Sequence, residues 1–337
     1  DEYFDEFDRQ FNGNSRKPSL LFETSRGCWW GEKHHCTFCG LNGGTMTFRS
    51  KTAQRAMDEL TYLTERHPGH SVNVVDNILD MTYFKDFVPL LAERQLGLNL
   101  FYEVKANLRK DQLRLLHQAG ITAIQPGIES LSDQVLQIMR KGVKALQNIQ
   151  LIKWCKELGI TPYWHLIWGF PGESAQEYEQ MRELIPLLTH LPPPNGSGPI
   201  RVDRFSPNFD QSAELGLMNL SPYPAYQHVY RLKRDALMNL SYYFTFEHRD
   251  DVDVLSYVKP FLKEVMQWRR CHGESALIQM DKGNRLLIWD WRPIAKQALT
   301  VLTGHRKFAY QACDQMRTAR QVMELWQKES GASITLA

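Results

Sequence analysis

SLLFETSRGCWWGEKHHCTFCGLNGG, Ser19 to Gly44, decides the reading of this chain. Ser19–Ser25 is a short apolar run that reads as a first buried strand. The loop after it holds Cys28, Cys36 and Cys39, three of the six cysteines. Seven residues separate the first two and two separate the last two. Thiolates are soft, strong ligands for iron and zinc. Three on one loop can hold three corners of an iron–sulfur cluster, leaving one iron open to a small molecule. They can also hold a structural zinc, with His34 or His35 as the fourth ligand. The β/α series with polar strand ends that follows favours the cluster, because a structural zinc site has no use for those ends.

Working outward, Thr52–Arg66 carries apolar residues at helical spacing. Ser71–Met81 is strand-like, Phe84–Arg94 helical, Leu98–Leu108 a strand and Lys110–Gln118 a helix stopped near Gly120. Ile121–Ser130 reads as a strand, and Asp133–Met139 and Ala145–Leu158 as helices. Thr161–Glu173 reads as a strand ending in a Gly-Pro-Gly turn, and Ala175–Leu188 as a helix. Leu191–Pro199 reads as a Pro/Gly linker and Ile200–Pro207 as a sixth strand. Six strands alternating with helices predict an α/β fold with a parallel sheet, a partial (β/α)6 barrel rather than a full one. Beyond Pro207, Ala225–Leu240 and Val254–Arg270 read as helices and Ala276–Trp291 as a hairpin around Lys-Gly-Asn. Leu299–Thr303, Lys307–Met316 and Ala319–Lys328 read as short helices. The expected organisation is a lead-in over 1–18, a core over 19–210, a helical connection over 211–270 and a small α+β module over 271–337, winged-helix-like.

The 337 residues suffice for one large domain and a small one at about 150 residues per domain. With 43% hydrophobic and 23% charged residues the composition is that of an ordinary globular protein. Forty Lys+Arg against 38 Asp+Glu leaves +2, which argues against a nucleic-acid or acidic-membrane partner. Clustered rather than framework cysteines point to a reducing, cytoplasmic compartment. No apolar run reaches the roughly 20 residues that span a bilayer. The chain lacks an initiator Met and is expected to be part of a longer protein.

The C-x7-C-x2-C loop, VVDN (Val74–Asn77), EVKAN (Glu103–Asn107), GIES (Gly127–Ser130) and GFPGE (Gly169–Glu173) resemble radical S-adenosylmethionine (SAM) enzymes. Most of that superfamily has three residues between the first two cysteines. The wider spacing, with IQPGIESLS and RFSPNF, is similar to the radical SAM maturases of ribosomally made peptides that act as peptide C-methyltransferases. The resemblance runs from about Leu20 to the C-terminus. It implies a [4Fe–4S] cluster on Cys28, Cys36 and Cys39, SAM, a precursor peptide substrate and an external one-electron reductant. Family members usually carry an N-terminal cobalamin domain; here no Asp-x-His-x-x-Gly stretch occurs, so cobalamin is expected in the full-length protein. Epimerisation or crosslinking without cobalamin is the alternative outcome, and a zinc-stabilised binding protein the alternative class.

The resemblance also implies roles at the strand ends. Phe38 is expected by the adenine or in the core. Asp76 and Asn77 are expected to receive the SAM ammonium or to cap a helix. Glu103, Lys105 and Asn107 alternate along one strand face; Lys105 is expected to bind the SAM carboxylate and Glu103 a ribose hydroxyl or the ammonium, or the two form an ion pair. Gln125, Gly127 and Glu129 share a face, and Glu129 and Ser130 are expected at the ribose and methionine, unless Ser130 is an N-cap. Gly169, with Pro171 and Gly172, forms the turn under the adenine. His165 is a core histidine or an acid–base group, and Arg204 a carboxylate or phosphate contact. No catalytic residue is assigned. Cys155 reads as core, and the C-terminal module as a candidate for binding the leader of a precursor peptide by strand addition.

Overall fold

A computed structural model describes residues 2–11, 18–43 and 45–331. The chain divides into two compact units. The first comprises residues 1–128, 154–164 and 200–250, the second 129–153, 165–199 and 251–337.

In the first unit, strands Leu20–Phe22, Val72–Val74, Leu100–Val104, Ile121–Pro126 and Thr161–Pro162 form one five-stranded sheet in that order. Every pairing is parallel, with registers such as Leu20↔Val72, Val72↔Leu100 and Glu103↔Gln125. Alternate positions are buried, as at Leu20 and Phe22 or Leu100, Tyr102 and Val104. Helices Ala53–Arg66, Phe87–Arg94 and Lys110–Gln118 fill the connections. The first begins at Thr52, whose hydroxyl accepts from the Arg55 amide, and buries Ala56, Met57 and Leu60. Each such fully buried leucine contributes about 1.5–3 kcal/mol. Gly120 stops the third helix at φ +79°, where an added Cβ would stand 2.6 Å from the Leu98 carbonyl oxygen. Only glycine adopts that conformation in that space.

The same unit holds an antiparallel sheet in which Tyr243–His248 lies between Val202–Asp203 and Leu217–Pro222. Val202, Leu217 and Phe244 form its core. This corrects two expectations. Ile200–Pro207 is not the sixth parallel strand, and residues 211–270 are not a purely helical connection. Ala225–Leu240 is two short helices, Ala225–Val229 and Arg234–Leu240. The lead-in carries a helix, Glu2–Phe11, while residues 12–17 lie outside the described residues.

In the second unit, the parallel partner of His165–Trp168 is Gly196–Pro199, inside the stretch that reads as a linker. Gly-Ser-Gly-Pro has no apolar alternation from which a strand can be read, and proline is tolerated where it need not donate to a ladder. At Gly196 an added Cβ would approach the His165 ring to 3.0 Å, so the exposed ring would have to shift. Val258, Phe261, Val265 and Trp268 form the buried stripe of helix Val254–Cys271. Tyr178 of helix Ala175–Leu188 meets Phe261 edge-on at 5.5 Å. The C-terminal module is a three-stranded antiparallel sheet, Leu277–Asp281, Arg285–Asp290 and Leu299–Thr303, followed by helices Gly304–Ala312 and Ala319–Ser330. Leu299–Thr303 is thus a strand and not a helix. Five residues are too few for periodicity to separate the two, and pairing with Arg285–Asp290 decides it.

Candidate functional site

The cysteine loop opens at Cys28, which caps the short helix Trp29–Lys33 by accepting the Gly31 amide on Sγ at 3.3 Å. The long gap between the first two cysteines is therefore helix, not slack loop. Both ends of the loop are pinned. At Gly27, φ +84°, an added Cβ would stand 2.1 Å from the Thr47 carbonyl oxygen. At Gly40 it would stand 2.2 Å from the Arg204 carbonyl oxygen. The Asn208 amide also donates to the Thr37 carbonyl at 2.8 Å. Cys28, Cys36 and Cys39 are half-buried thiols that form no disulfide among the described residues.

Three half-buried thiols on a braced loop suit an iron–sulfur cluster, in which each sulfur takes a different iron and so stands farther from its neighbours than the ligands of one shared ion. Among the described residues, no group of three or more His, Cys, Asp or Glu side chains is spaced for a single metal ion. The two histidines have other contacts. His34 packs on Trp30 at 4.2 Å between ring centroids, and His35 Nε2 pairs with the Cys39 carbonyl at 2.8 Å. An open cavity of about 500 Å³ backs the loop, lined by Glu32, His34, His35, Met46, Phe205 and Asp210 among others. A larger one, about 700 Å³, borders Ser71 and Asn99, at the opposite ends of the strands from the polar residues.

Asp76 is 1% exposed. Its carboxylate accepts from the Thr24 amide at 2.7 Å, the Thr24 hydroxyl and the Ser25 hydroxyl at 2.7 Å. Burial raises its pKa above the usual carboxylate range, against the pull of those donors. This corrects the capping alternative for Asp76: its carboxylate caps no helix but ties the ends of two neighbouring strands. Asp80 does the capping, accepting from the Thr82 amide at 2.8 Å. Tyr102 joins the knot through Thr24 Oγ1 at 3.0 Å, and burial holds its phenol well above its ordinary pKa. Asn77 donates to Asn42 Oδ1 at 2.8 Å, linking this strand end to the segment after Cys39.

Glu103 and Gln125 stand side by side on paired strands, both half-buried. The strand ends at Val104, so Lys105 and Asn107 do not continue the face of Glu103. Lys105 is 7% exposed, with Nζ 3.5 Å from the Trp30 ring centroid. Phe38 is half-buried. Arg204 is committed to the chain: Nε donates to the Ser241 carbonyl at 2.6 Å and a terminal nitrogen to the Met238 carbonyl.

Within the second unit, Glu129 adopts φ +58° and pairs with Lys141 at 3.6 Å. A non-glycine residue there carries backbone strain of about 1–3 kcal/mol. Its carbonyl accepts from the Ile167 amide at 3.0 Å. Ser130 is buried and receives the Ser132 amide at 3.1 Å; Ser132, not Ser130, caps helix Asp133–Ile138. His165 is exposed, not a core residue. Gly169, φ +89°, donates its amide to Glu173 Oε1 at 2.7 Å. Glu173 also receives the Tyr178 and Tyr257 hydroxyls, each at 2.9 Å, and burial raises its pKa. That carboxylate, which holds the Gly169–Gly172 turn, was legible only as the last letter of GFPGE. Trp30 and Thr24 carried no signal, because their partners are distant in sequence. Cys155 is fully buried, and burial pushes its thiol up to about 12, as a core residue requires.

Residues 22–185 match the model of the radical SAM superfamily. The chain is 26% identical over 167 residues to an uncharacterized methyltransferase of Pyrococcus horikoshii, covering 48% of this chain and 35% of that protein. It is 21% identical over 181 residues to the anaerobic magnesium-protoporphyrin IX monomethyl ester cyclase of a Synechocystis strain, covering 52% and 35%. It thus spans about a third of the length of these relatives. The structure of the radical SAM methyltransferase TsrM of Kitasatospora setae, with tryptophan substrate and a SAM analogue bound, superposes with TM-score 0.58 at 14% identity, covering 83% of this chain and 56% of that one.

Proposed function

Because residues 22–185 form a radical SAM domain, we propose that this chain belongs to an enzyme that modifies an unactivated carbon of a ribosomally made precursor peptide, by C-methylation. The observation that carries the radical step is the braced loop with Cys28, Cys36 and Cys39 directly after the first strand of a parallel α/β sheet. The methyl outcome is supported by methyltransferases among the relatives. The peptide substrate is supported by the motif string of the loop and strand ends.

A [4Fe–4S] cluster and SAM, when bound, would supply one-electron reductive cleavage of SAM to methionine and a 5′-deoxyadenosyl radical. Cys28, Cys36 and Cys39 would hold the cluster. In this reading Glu103 and Gln125, adjacent and half-buried, hydrogen-bond the polar groups of SAM. Lys105, covered by Trp30, contributes positive charge close to the loop. Phe38 offers an aromatic face that keeps water from the adenine. Within the second unit, Glu173 fixes the Gly169–Gly172 turn. Exclusion of water protects a radical from side reactions. Cobalamin is proposed as a further cofactor on the family resemblance alone. A reducing cytoplasm and an external one-electron donor complete the proposal; no helix of the described residues is long and apolar enough to cross a membrane.

Anaerobic reconstitution tests the reading. Iron and sulfide at about four each per chain, and 5′-deoxyadenosine from SAM and a reductant, are expected. Replacing all three cysteines with alanine abolishes both. Protein that takes up one zinc and no iron overturns the cluster. Labelled methyl from SAM appearing in the peptide supports methylation; an epimerised or crosslinked peptide without label overturns it.

A further inference from the structure

The C-terminal sheet presents one face that no described element of its own module covers. Its registers align Ile278, Trp289 and Leu299 as one rung across three strands, and Met280, Leu287 and Val301 as the next. Residues directly opposite in an antiparallel pair project to the same face. Ile278, Met280, Leu299 and Val301 are 43–51% exposed, whereas Leu286 and Ile288, on the opposite face, are buried. An apolar group of this kind on an exposed surface marks an interaction site.

The third rung changes character. The Lys282 amide donates to the Arg285 carbonyl at 2.9 Å, continuing the ladder past the last strand residue, and Arg285 pairs with Thr303. Lys282 and Arg285 therefore sit directly opposite one another on the apolar face. Like charges in that position repel. No described carboxylate pairs with either. The acidic neighbour, Asp281, is on the other face and is taken by Lys307 at 2.6 Å. Two adjacent cations at the end of an apolar strip leave an electrostatic cost that an anionic partner would offset.

We propose that this face docks an acidic amphipathic segment of a partner polypeptide, apolar side chains on the two rungs and carboxylates on Lys282 and Arg285. Size argues against a second copy. Three strands about 4.8 Å apart and two rungs about 7 Å apart give an apolar footprint on the order of 200 Å². A stable dimer buries about 800 Å² per partner. One helix, about 10 Å across, covers the footprint. The proposal rests on the peptide-substrate reading only for the identity of the segment's owner; docking stands or falls by itself.

The test is fluorescence anisotropy of the full chain with a labelled synthetic helix carrying leucines at i, i+3, i+4 and i+7 and glutamates elsewhere. Saturable binding is expected, at least about tenfold tighter than to a scrambled peptide of equal composition or to one with lysine for glutamate. K282E/R285E should reverse the preference between the acidic and basic helices. M280E/V301E should abolish binding. Both pairs are exposed, so thermal melts and SAM cleavage should match the parent; if M280E/V301E misfolds, the charge reversal decides. Equal binding of all three peptides overturns the proposal. So does a dimer in sedimentation that M280E/V301E dissolves, or phosphatidylserine vesicles bound in preference to the acidic helix. Failure of the unsubstituted chain to bind the acidic helix, with SAM cleavage intact, would refute this face alone, and absence of SAM cleavage with docking intact would refute only the enzymatic reading.

Discussion

Replacing Asp76 with alanine removes the shared acceptor of three buried donors. The Thr24 hydroxyl can turn to Tyr102, and the Ser25 hydroxyl to the Ile78 carbonyl 3.3 Å away. The Thr24 amide has no second acceptor among its described bonds. One orphaned buried N–H plus two weakened hydroxyls costs about 2–4 kcal/mol. At about 3 °C per kcal/mol, the first unit should melt roughly 6–12 °C lower. Asp76→Asn keeps an acceptor for the amide and should cost about 1 kcal/mol at neutral pH. The pH dependence separates the two effects. Burial raises the folded pKa of Asp76 above its unfolded value, so the stability linked to its proton is fully present below the unfolded value and lost as pH rises through the folded one. The asparagine variant lacks that loss, and its deficit against the parent should narrow with rising pH. Melts followed by circular dichroism over a pH series measure both, with isothermal titration of SAM beside them. An alanine variant that melts within about 2 °C of the parent yet no longer binds SAM would show that the carboxylate serves the ligand, and would refute the structural assignment.

Gly40→Ala forces a Cβ against the Arg204 carbonyl oxygen and should cost about 1–3 kcal/mol, seen as a lower melt and reduced iron after anaerobic reconstitution. Trp30→Leu removes the ring over Lys105, a loss of about 1–2 kcal/mol, and should make Lys105 react faster with an amine-acylating reagent, read by mass spectrometry. Tyr257→Phe deletes one of two phenols on Glu173 and should cost about 1 kcal/mol. With a donor gone, the Glu173 pKa rises further, so the stability lost with rising pH should be lost over a range shifted upward.

Helices were legible where the apolar period was complete and the ends were marked. Lys110–Gln118, Ala145–Leu158 and Ala175–Leu188 have the bounds that the pattern predicts. Strands were legible where they bury alternate side chains, as at Leu100–Val104, though shorter than the apolar run containing them. Gly196–Pro199 was illegible because a strand of glycine, serine and proline carries no pattern of burial. Leu217–Pro222 and Tyr243–His248 were illegible because antiparallel partners so far apart leave no local mark. Of the candidate site, the cysteine spacing was readable, and Glu103 and Gln125 were each singled out, but only strand pairing shows that they stand side by side. The commitments of Asp76 and Arg204 were not, because a polar side chain looks the same in sequence whether its partner is a ligand or a carbonyl of the fold.

The sequence by itself determined the α/β class, the parallel order of the early strands and the placement of three thiols on one loop. Those follow from local periodicity and ligand chemistry, which need no knowledge of distant neighbours. Tertiary structure alone decided which polar groups remain available. Asp76 is spent on Thr24 and Ser25, Arg204 on two carbonyls, and Glu173 on a glycine turn and two phenols, whereas no described carboxylate pairs with Lys282 or Arg285 beside an apolar face. A buried polar group must be satisfied by whatever the fold brings near it. That partner is set by packing between residues far apart in the chain.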